Sequence, residues 1–162
     1  MNSKPLNIRA ATVEDAEAIF NFINELAIYE KAPQEVVTNV SMIQATLFGE
    51  SPQAQALIAE IDSNAVGYAI YFTSYSTWLG KQGVYLEDLY VSPSFRGFGA
   101  GKALLKKIAK NAVDNDCGRV EWSVLDWNKP AIDFYESFGA KPQDEWTVYR
   151  LTGDALLKFA NN

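Results

Sequence analysis

No histidine occurs anywhere in the 162 residues of this chain. Its absence removes histidine-based catalytic triads and the commonest metal ligand, so a proton acceptor has to be a carboxylate, a tyrosine, a lysine or water. A single cysteine, Cys117, excludes an internal disulfide and any cysteine-based zinc cluster. Cys117 follows an amphipathic segment and reads as a small core residue rather than a reactive thiol. No metal site is expected. Basic residues are few, 14 against 20 acidic ones for a net charge of −6, and they form no run. That balance argues against general nucleic-acid binding. Acidity suits a cationic small molecule, although solubility alone accounts for it equally well. No apolar stretch approaches the ~20 residues that a membrane span needs, and residues 1–5 are polar, with no signal-peptide core. The expectation is a cytoplasmic protein with neither membrane nor nucleic-acid partners.

What is present, 48% hydrophobic and 21% charged residues with 13% aromatics, fits one domain spanning residues 1–162. Leu6–Ala10 reads as a first strand. Thr12 with Asp15 three residues on resembles a capping box, and Ala16, Ile19, Phe20, Ile23, Leu26 and Ala27 then recur at helical spacing. Ser41 is the expected cap of a second helix that ends at Gly49. Residues 54–60 and 65–73 read as strands joined by Asp62-Ser63-Asn64, and residues 83–91 as a third. A long amphipathic helix over 101–115 carries Leu104, Leu105, Ile108, Ala112 and Val113 on one face. A strand over 119–125 follows, then a short helix over 130–138 capped by Asn128 and closed by Gly139. A strand over 146–151 and a short helix from Gly153 complete the chain. Three successive strands predict an antiparallel meander and the later alternation a parallel crossover, which makes a mixed α/β sheet.

Gly97, Gly99 and Gly101 fall within five residues, in Arg96-Gly97-Phe98-Gly99-Ala100-Gly101, between a strand and the long helix. Glycine packs nothing and costs backbone entropy, so such a cluster serves positive φ or close approach to a ligand. At a helix start it leaves N–H groups and the positive dipole end open to phosphate, and Arg96 adds a fork-shaped cation. Two familiar phosphate loops fail here. The dinucleotide fingerprint would need glycine at Lys102; the P-loop would need glycine at Arg96 and Ser or Thr at Ala103. A purely structural turn is the competing reading.

Val91-Ser92-Pro93 followed by Arg96-Gly97-Phe98-Gly99-Ala100-Gly101 resembles the cofactor motif R-x-x-G-x-G/A of the GNAT N-acetyltransferases, with its preceding V-x-P. Asn128-Lys129-Pro130-Ala131-Ile132-Asp133-Phe134-Tyr135 and then Gly139 resemble the second motif of that superfamily. The resemblance implies the GNAT fold and acetyl-CoA as cofactor. It also implies a splayed strand whose free backbone groups at Leu89 and Val91 hold the acetyl and pantetheine portions. Leu89, Tyr90 and Val91, the turn residues Arg96, Gly97, Phe98, Gly99, Ala100 and Gly101, and Asn128, Lys129, Pro130 and Ala131 would all meet the cofactor.

Acetyl transfer to an amine needs a neutral nitrogen, a polarised carbonyl and a protonated leaving thiolate. Free amines with pKa ~10 are almost entirely protonated at neutral pH, so a base is required. Glu87, in Tyr85-Leu86-Glu87-Asp88, is the candidate, acting directly or through water. Strand alternation puts Glu87 and Asp88 on opposite faces unless a bulge re-aims one of them. A solvated strand carboxylate is the bland alternative for each. Tyr135 is the candidate acid for the thiolate, since the superfamily has a tyrosine at this place; the alternative is a packed aromatic beside Phe134 and Phe138. The Leu89 N–H is the candidate donor to charge developing on the carbonyl oxygen.

Glu25-Leu26-Ala27-Ile28-Tyr29-Glu30, Tyr71-Phe72-Thr73, Tyr85-Leu86-Glu87-Asp88 and Trp127-Asn128 narrow the likeness to the diamine (spermidine/spermine) acetyltransferase family. By that likeness Tyr29, Glu30 and Glu87 line an amine channel, with Asp88, the Glu121-Trp122-Ser123 strand and the ring of Trp78 as further contacts. Polyamine-specific members carry Asp-Pro before the tryptophan, where Ser76-Thr77 stand here. Ser-Thr-Trp, with Val124-Leu125-Asp126-Trp127-Asn128, resembles the thialysine acetyltransferase branch instead. A short diamine or lysine-like amino acid is therefore as credible an acceptor as a polyamine, and a homodimer is implied. Two other readings stand beside this one: a GNAT acting on a protein or peptide amine or an aminoglycoside, and a CoA-binding dimeric module without turnover.

Overall fold

In the computed structural model, which describes residues 5–162, five strands form one sheet. They are β1 (Leu6–Ala10), β2 (Gln55–Ile61), β3 (Asn64–Ser76), β4 (Lys81–Val91) and β5 (Val120–Trp122), side by side in chain order. Residues 1–4, on which most of the N-terminal reading rests, lie outside the described residues. The first four strands pair antiparallel, and β5 joins β4 in parallel. The helices are α1 (Ala16–Tyr29), α2 (Val40–Phe48), α3 (Ala100–Asp114), α4 (Lys129–Glu136) and α5 (Gly153–Asn161). The meander and the parallel crossover through α3 are those the element order predicts. The chain forms two compact units: one ends at Ser123 and holds the whole sheet with α1, α2 and α3; the other, Val124–Asn162, holds α4 and α5.

Local chemistry explains most boundaries. The β2–β3 hairpin turns through Asp62 and Ser63, both with positive φ (52° and 63°), the backbone twist that a two-residue hairpin requires. The second helix begins two residues earlier than expected, and its cap is Asn39, not Ser41. The Asn39 carboxamide oxygen accepts from the Met42 N–H at 2.9 Å, and an N-cap must stand outside the helix that it caps. β5 stops at Trp122, short of the predicted 125. Residues 146–151 form no strand despite their apolar, β-branched character; Trp146, Val148, Tyr149 and Leu151 are exposed. Strand-like composition makes a strand only where a sheet edge pairs with it. No helix among the described residues is long and apolar enough to cross a membrane.

Side chains alternate across the sheet. Ile58, Tyr68, Ile70 and Tyr90 face α1 and α2, where they pack with Ala16, Ile19, Phe22 and Ile43. On the opposite face α3 buries Leu104, Leu105, Ile108 and Ala112. Fully burying each large apolar chain contributes about 1.5–3 kcal/mol. α1 is tied to the sheet by a buried acid. Asp15 accepts two bonds from the Arg9 guanidinium, at 2.7 and 2.8 Å, and one from the Thr12 N–H at 2.7 Å. Arg9 also pairs with Glu60 at 3.2 Å. The Arg9 hydrogen bonds, chiefly, hold the Asp15 carboxyl below its usual range against the opposing effect of burial.

Because the native value of Asp15 is depressed, its stabilisation is present above the ordinary carboxylate range and is lost as pH falls through the depressed native value. Asp15→Asn is expected to lower the unfolding free energy by about 2 kcal/mol at neutral pH. Urea unfolding at neutral and strongly acidic pH checks this: the gap between the two proteins should close in acid, and a gap constant with pH would refute it.

Candidate active site

The site is organised by an irregularity in β4. Asp88 stands opposite Ile70, but Leu86 stands opposite Tyr71, so Glu87 is the additional residue of a β-bulge. One extra residue inverts the backbone parity of everything beyond it. Below the bulge, the Val84 N–H donates to Arg119 O and Gln82 O accepts from the Gly118 N–H, both on the β5 side. Above it, the Ser92 N–H donates to Val66 O, on the β3 side. Leu89 and Val91 therefore turn their backbone groups away from β3. The β5 register ends at Leu86 opposite Trp122, so residues 88–91 continue past the last β5 partner. The bulge thus aims Leu89 and Val91 at an edge that β5 does not cover.

The same bulge gathers acids. Asp88 is half-buried, and Tyr68 Oη donates to its Oδ2 at 2.6 Å. Burial pushes the Asp88 carboxyl up, and the Tyr68 bond pulls it partly back. Glu30, at the C-terminal end of α1, is also pushed up, by burial first and then by the Asp88 charge. Burial chiefly, with Asp88, Glu30 and Glu87, disfavours ionisation of Tyr68, so Glu87 and Asp88 act on one phenol. The bulge interrupts the strict alternation that would set Glu87 and Asp88 on opposite faces. Sequence reasoning named Glu30, Glu87 and Asp88 but not Tyr68, one of three tyrosines in β3 and without a distinguishing signal.

The glycine turn is built for φ, not for want of space. Gly97 and Gly99 have φ of 89° and 82°, and a Cβ on either would meet nothing within 4 Å. Gly99 is the N-cap of α3 and supplies no side chain to the first N–H groups of the helix. Arg96 is already engaged within the protein. Its Nε donates to Val91 O at 3.0 Å, and its guanidinium carbon lies 5.6 Å from the ring centroids of both Tyr29 and Tyr90. Burial first, and then Glu25, pushes the Tyr90 phenol up to about 12. Glu25, Ile28, Tyr29, Tyr90, Pro93 and Arg96 line one shallow pocket, so the turn and the end of α1 meet there.

Other expected residues sit elsewhere. Trp78 is 81% exposed at the β3–β4 turn, and Glu87 lies six strand residues beyond Lys81, roughly 20 Å away along β4. Ser76 is buried in that turn, where its Oγ accepts from the Leu79 N–H at 3.2 Å. Glu121 is paired with Arg119 at 2.9 Å, Trp122 stands opposite Leu86, and Ser123 Oγ is 2.8 Å from Tyr85 Oη. In the second unit, Asn128 caps α4, with its carboxamide oxygen accepting from the Ala131 N–H at 3.4 Å. Pro130 lies in the first turn, and the Lys129 ammonium is held by Asp133 at 2.8 Å. Tyr135 is half-buried on α4, with ring centroids of Phe134 and Phe138 at 5.6 and 6.4 Å.

Residues 17–140 match the model of the acetyltransferase (GNAT) family. A thialysine N-epsilon-acetyltransferase of Bos taurus is 41% identical, with 94% of this chain and 96% of that protein covered. An L-ornithine acetyltransferase of Arabidopsis thaliana is 32% identical, covering 92% and 85%. Among solved structures, an integron cassette protein from the mobile metagenome of V. cholerae superposes over 100% of both chains, with a TM-score of 0.82 and 25% identity.

An acid with a raised native value destabilises the fold increasingly as pH climbs from the ordinary carboxylate range through that native value, and not below it. Asp88→Asn, which can still accept the Tyr68 bond, is therefore expected to raise stability by about 1 kcal/mol at neutral pH. Thermal unfolding across acid and neutral pH should show the gain vanish in acid. A loss of stability at neutral pH would refute it.

Proposed function

We infer, for a chain that belongs to the GNAT acetyltransferase family, that it moves an acetyl group from acetyl-CoA to a primary amine of a small cationic acceptor. The acceptor is a diamine, a polyamine or a lysine-like amino acid. The observation that carries this reading is the half-buried Asp88 at the β4 bulge, held by Tyr68 Oη at 2.6 Å next to Glu87 in the strand, with its charge acting on the half-buried Glu30. Half-buried carboxylates such as Asp88 and Glu30, which burial holds above their usual range, cost stability and suit a ligand that brings positive charge. The relatives named for thialysine and ornithine support an acceptor of this size and charge.

The residues present fit acetyl-CoA. The turn from Gly97 to Gly101 leaves α3 without a side-chain cap, as a pyrophosphate site requires, and the outward N–H groups of Leu89 and Val91 suit the acyl and pantetheine portions. Acetyl-CoA supplies the thioester carbonyl that the amine attacks. Glu87 takes the proton of the incoming ammonium, directly or through water, and the Leu89 N–H donates to the carbonyl oxygen. Tyr135 would hold the phenolic proton that a departing thiolate takes up. Asn128, Lys129, Pro130 and Ala131, in the second motif of the family, would contribute further cofactor contacts. On this reading the chain works in the cytoplasm as a homodimer, as the family resemblance implies.

CoA release in the presence of 1,4-diaminobutane, spermidine, thialysine, lysine or a peptide amine tests the proposal. Release with the small amines is expected, and release with the peptide alone would sink it. Glu87→Gln should lower turnover on the order of a hundredfold and move its rise to higher pH, toward the amine's own value. Tyr135→Phe should lower turnover while acetyl-CoA affinity, read by calorimetry, stays within about twofold. An unchanged rate removes the residue concerned from its role.

A further inference from the structure

We propose that Tyr68 is a positioning residue for the acceptor: its buried hydroxyl fixes the Asp88 carboxylate beside Glu30, and so selects an acceptor with a second ammonium. The inference rests on the amine-acetylating reading above and deepens it. Tyr68 is fully buried on β3, with its ring stacked on Phe22 at 5.5 Å and 17°. Phenylalanine would supply that packing equally well, and without a polar atom to satisfy. The hydroxyl is spent on one bond, the 2.6 Å donation to Asp88. A phenol committed to a carboxylate in a core is expensive unless the carboxylate has work to do.

That work follows from counting charges. The titratable groups acting around this phenol are Asp88 and Glu87 on β4 and Glu30 at the end of α1. Glu87 is assigned to the proton of the reacting nitrogen. Asp88 and Glu30 remain, both half-buried, and among the described residues neither is in an ion pair like those of the six paired acids. A monoamine would leave this pair uncompensated; an acceptor with a second ammonium would not. The Tyr68 bond favours the charged form of Asp88 and holds it in one orientation. Without the phenol, Asp88 takes up a proton at higher pH and no longer faces the acceptor as a fixed anion.

Tyr68→Phe keeps the ring and its packing, so the folded state is retained; a thermal melt confirms it. The binding of 1,4-diaminobutane, measured by calorimetry, is expected to weaken about tenfold, the scale of one hydrogen bond to a charged group. The selectivity ratio, kcat/KM for 1,4-diaminobutane over that for butylamine, should fall by a similar factor through KM. The acid limb of the diamine profile should move to higher pH. In the double variant with Asp88→Asn, the Tyr68 substitution should add nothing further. Diamine binding unaltered by Tyr68→Phe overturns the proposal, as does an equal loss for both amines with an unmoved acid limb. Wild-type protein that acetylates no amine, yet binds the diamine in a Tyr68-dependent way, upholds the positioning role and sinks only the acetylation reading.

Discussion

One inserted residue governs the site. Glu87 as the bulge of β4 changes which residues of that strand address β3 and which address the other edge. Without it, Val84 and Leu86 would continue a single parity to the strand's end, and Leu89 and Val91 would spend their backbone groups on β3. With it, the outward groups fall beside the glycine turn, and two neighbouring carboxylates act on one tyrosine. A bulge costs ladder hydrogen bonds and is kept where it re-aims a side chain. Here it orients backbone and acid together, so the proposed cofactor edge and the proposed acceptor site share one cause.

Charge compensation separates the scaffold from the site. Asp15 is locked by Arg9, and Lys81, Lys110, Arg119 and Lys129 each hold a nearby acid. The exposed pairs contribute little to stability; the Arg9–Asp15 network, half-buried and doubly bonded, contributes more. Around the bulge the pattern reverses, with burial pushing Asp88 and Glu30 up and only a neutral phenol to offset it. Burial there costs stability, as the raised carboxyls of Asp88 and Glu30 record. Arg96 braces the start of the turn through Val91 O while stacking over Tyr29 and Tyr90, which links the glycine turn to the end of α1.

The parts legible in the sequence were those set by local backbone chemistry. Gly97 and Gly99 announced a positive-φ turn before an amphipathic helix, and both have that conformation. Asn128 announced a cap and makes the bond. The strands of the meander were readable from composition and turns. Where several residues compete for one local role the reading slipped by one or two positions, as with Asn39 and Ser41. Residues 146–151 failed for a different reason: their pattern is that of a strand, but pairing is a property of two segments and cannot be read from one.

Local sequence therefore determined the kind of chemistry: no histidine, a phosphate-type turn, acids placed one after another in β4, and a tyrosine on a capped helix. Glycine conformations, caps and composition depend on near neighbours, which the sequence displays directly. Tertiary structure alone decided the geometry. That Glu87 would be the bulge, that Tyr68 would commit its hydroxyl to Asp88, that Ser76 would be consumed by its own turn, and that Glu30 would feel the Asp88 charge all depend on register and packing between segments far apart in the chain. Register is settled by the sum of many weak contacts, and no single residue carries it.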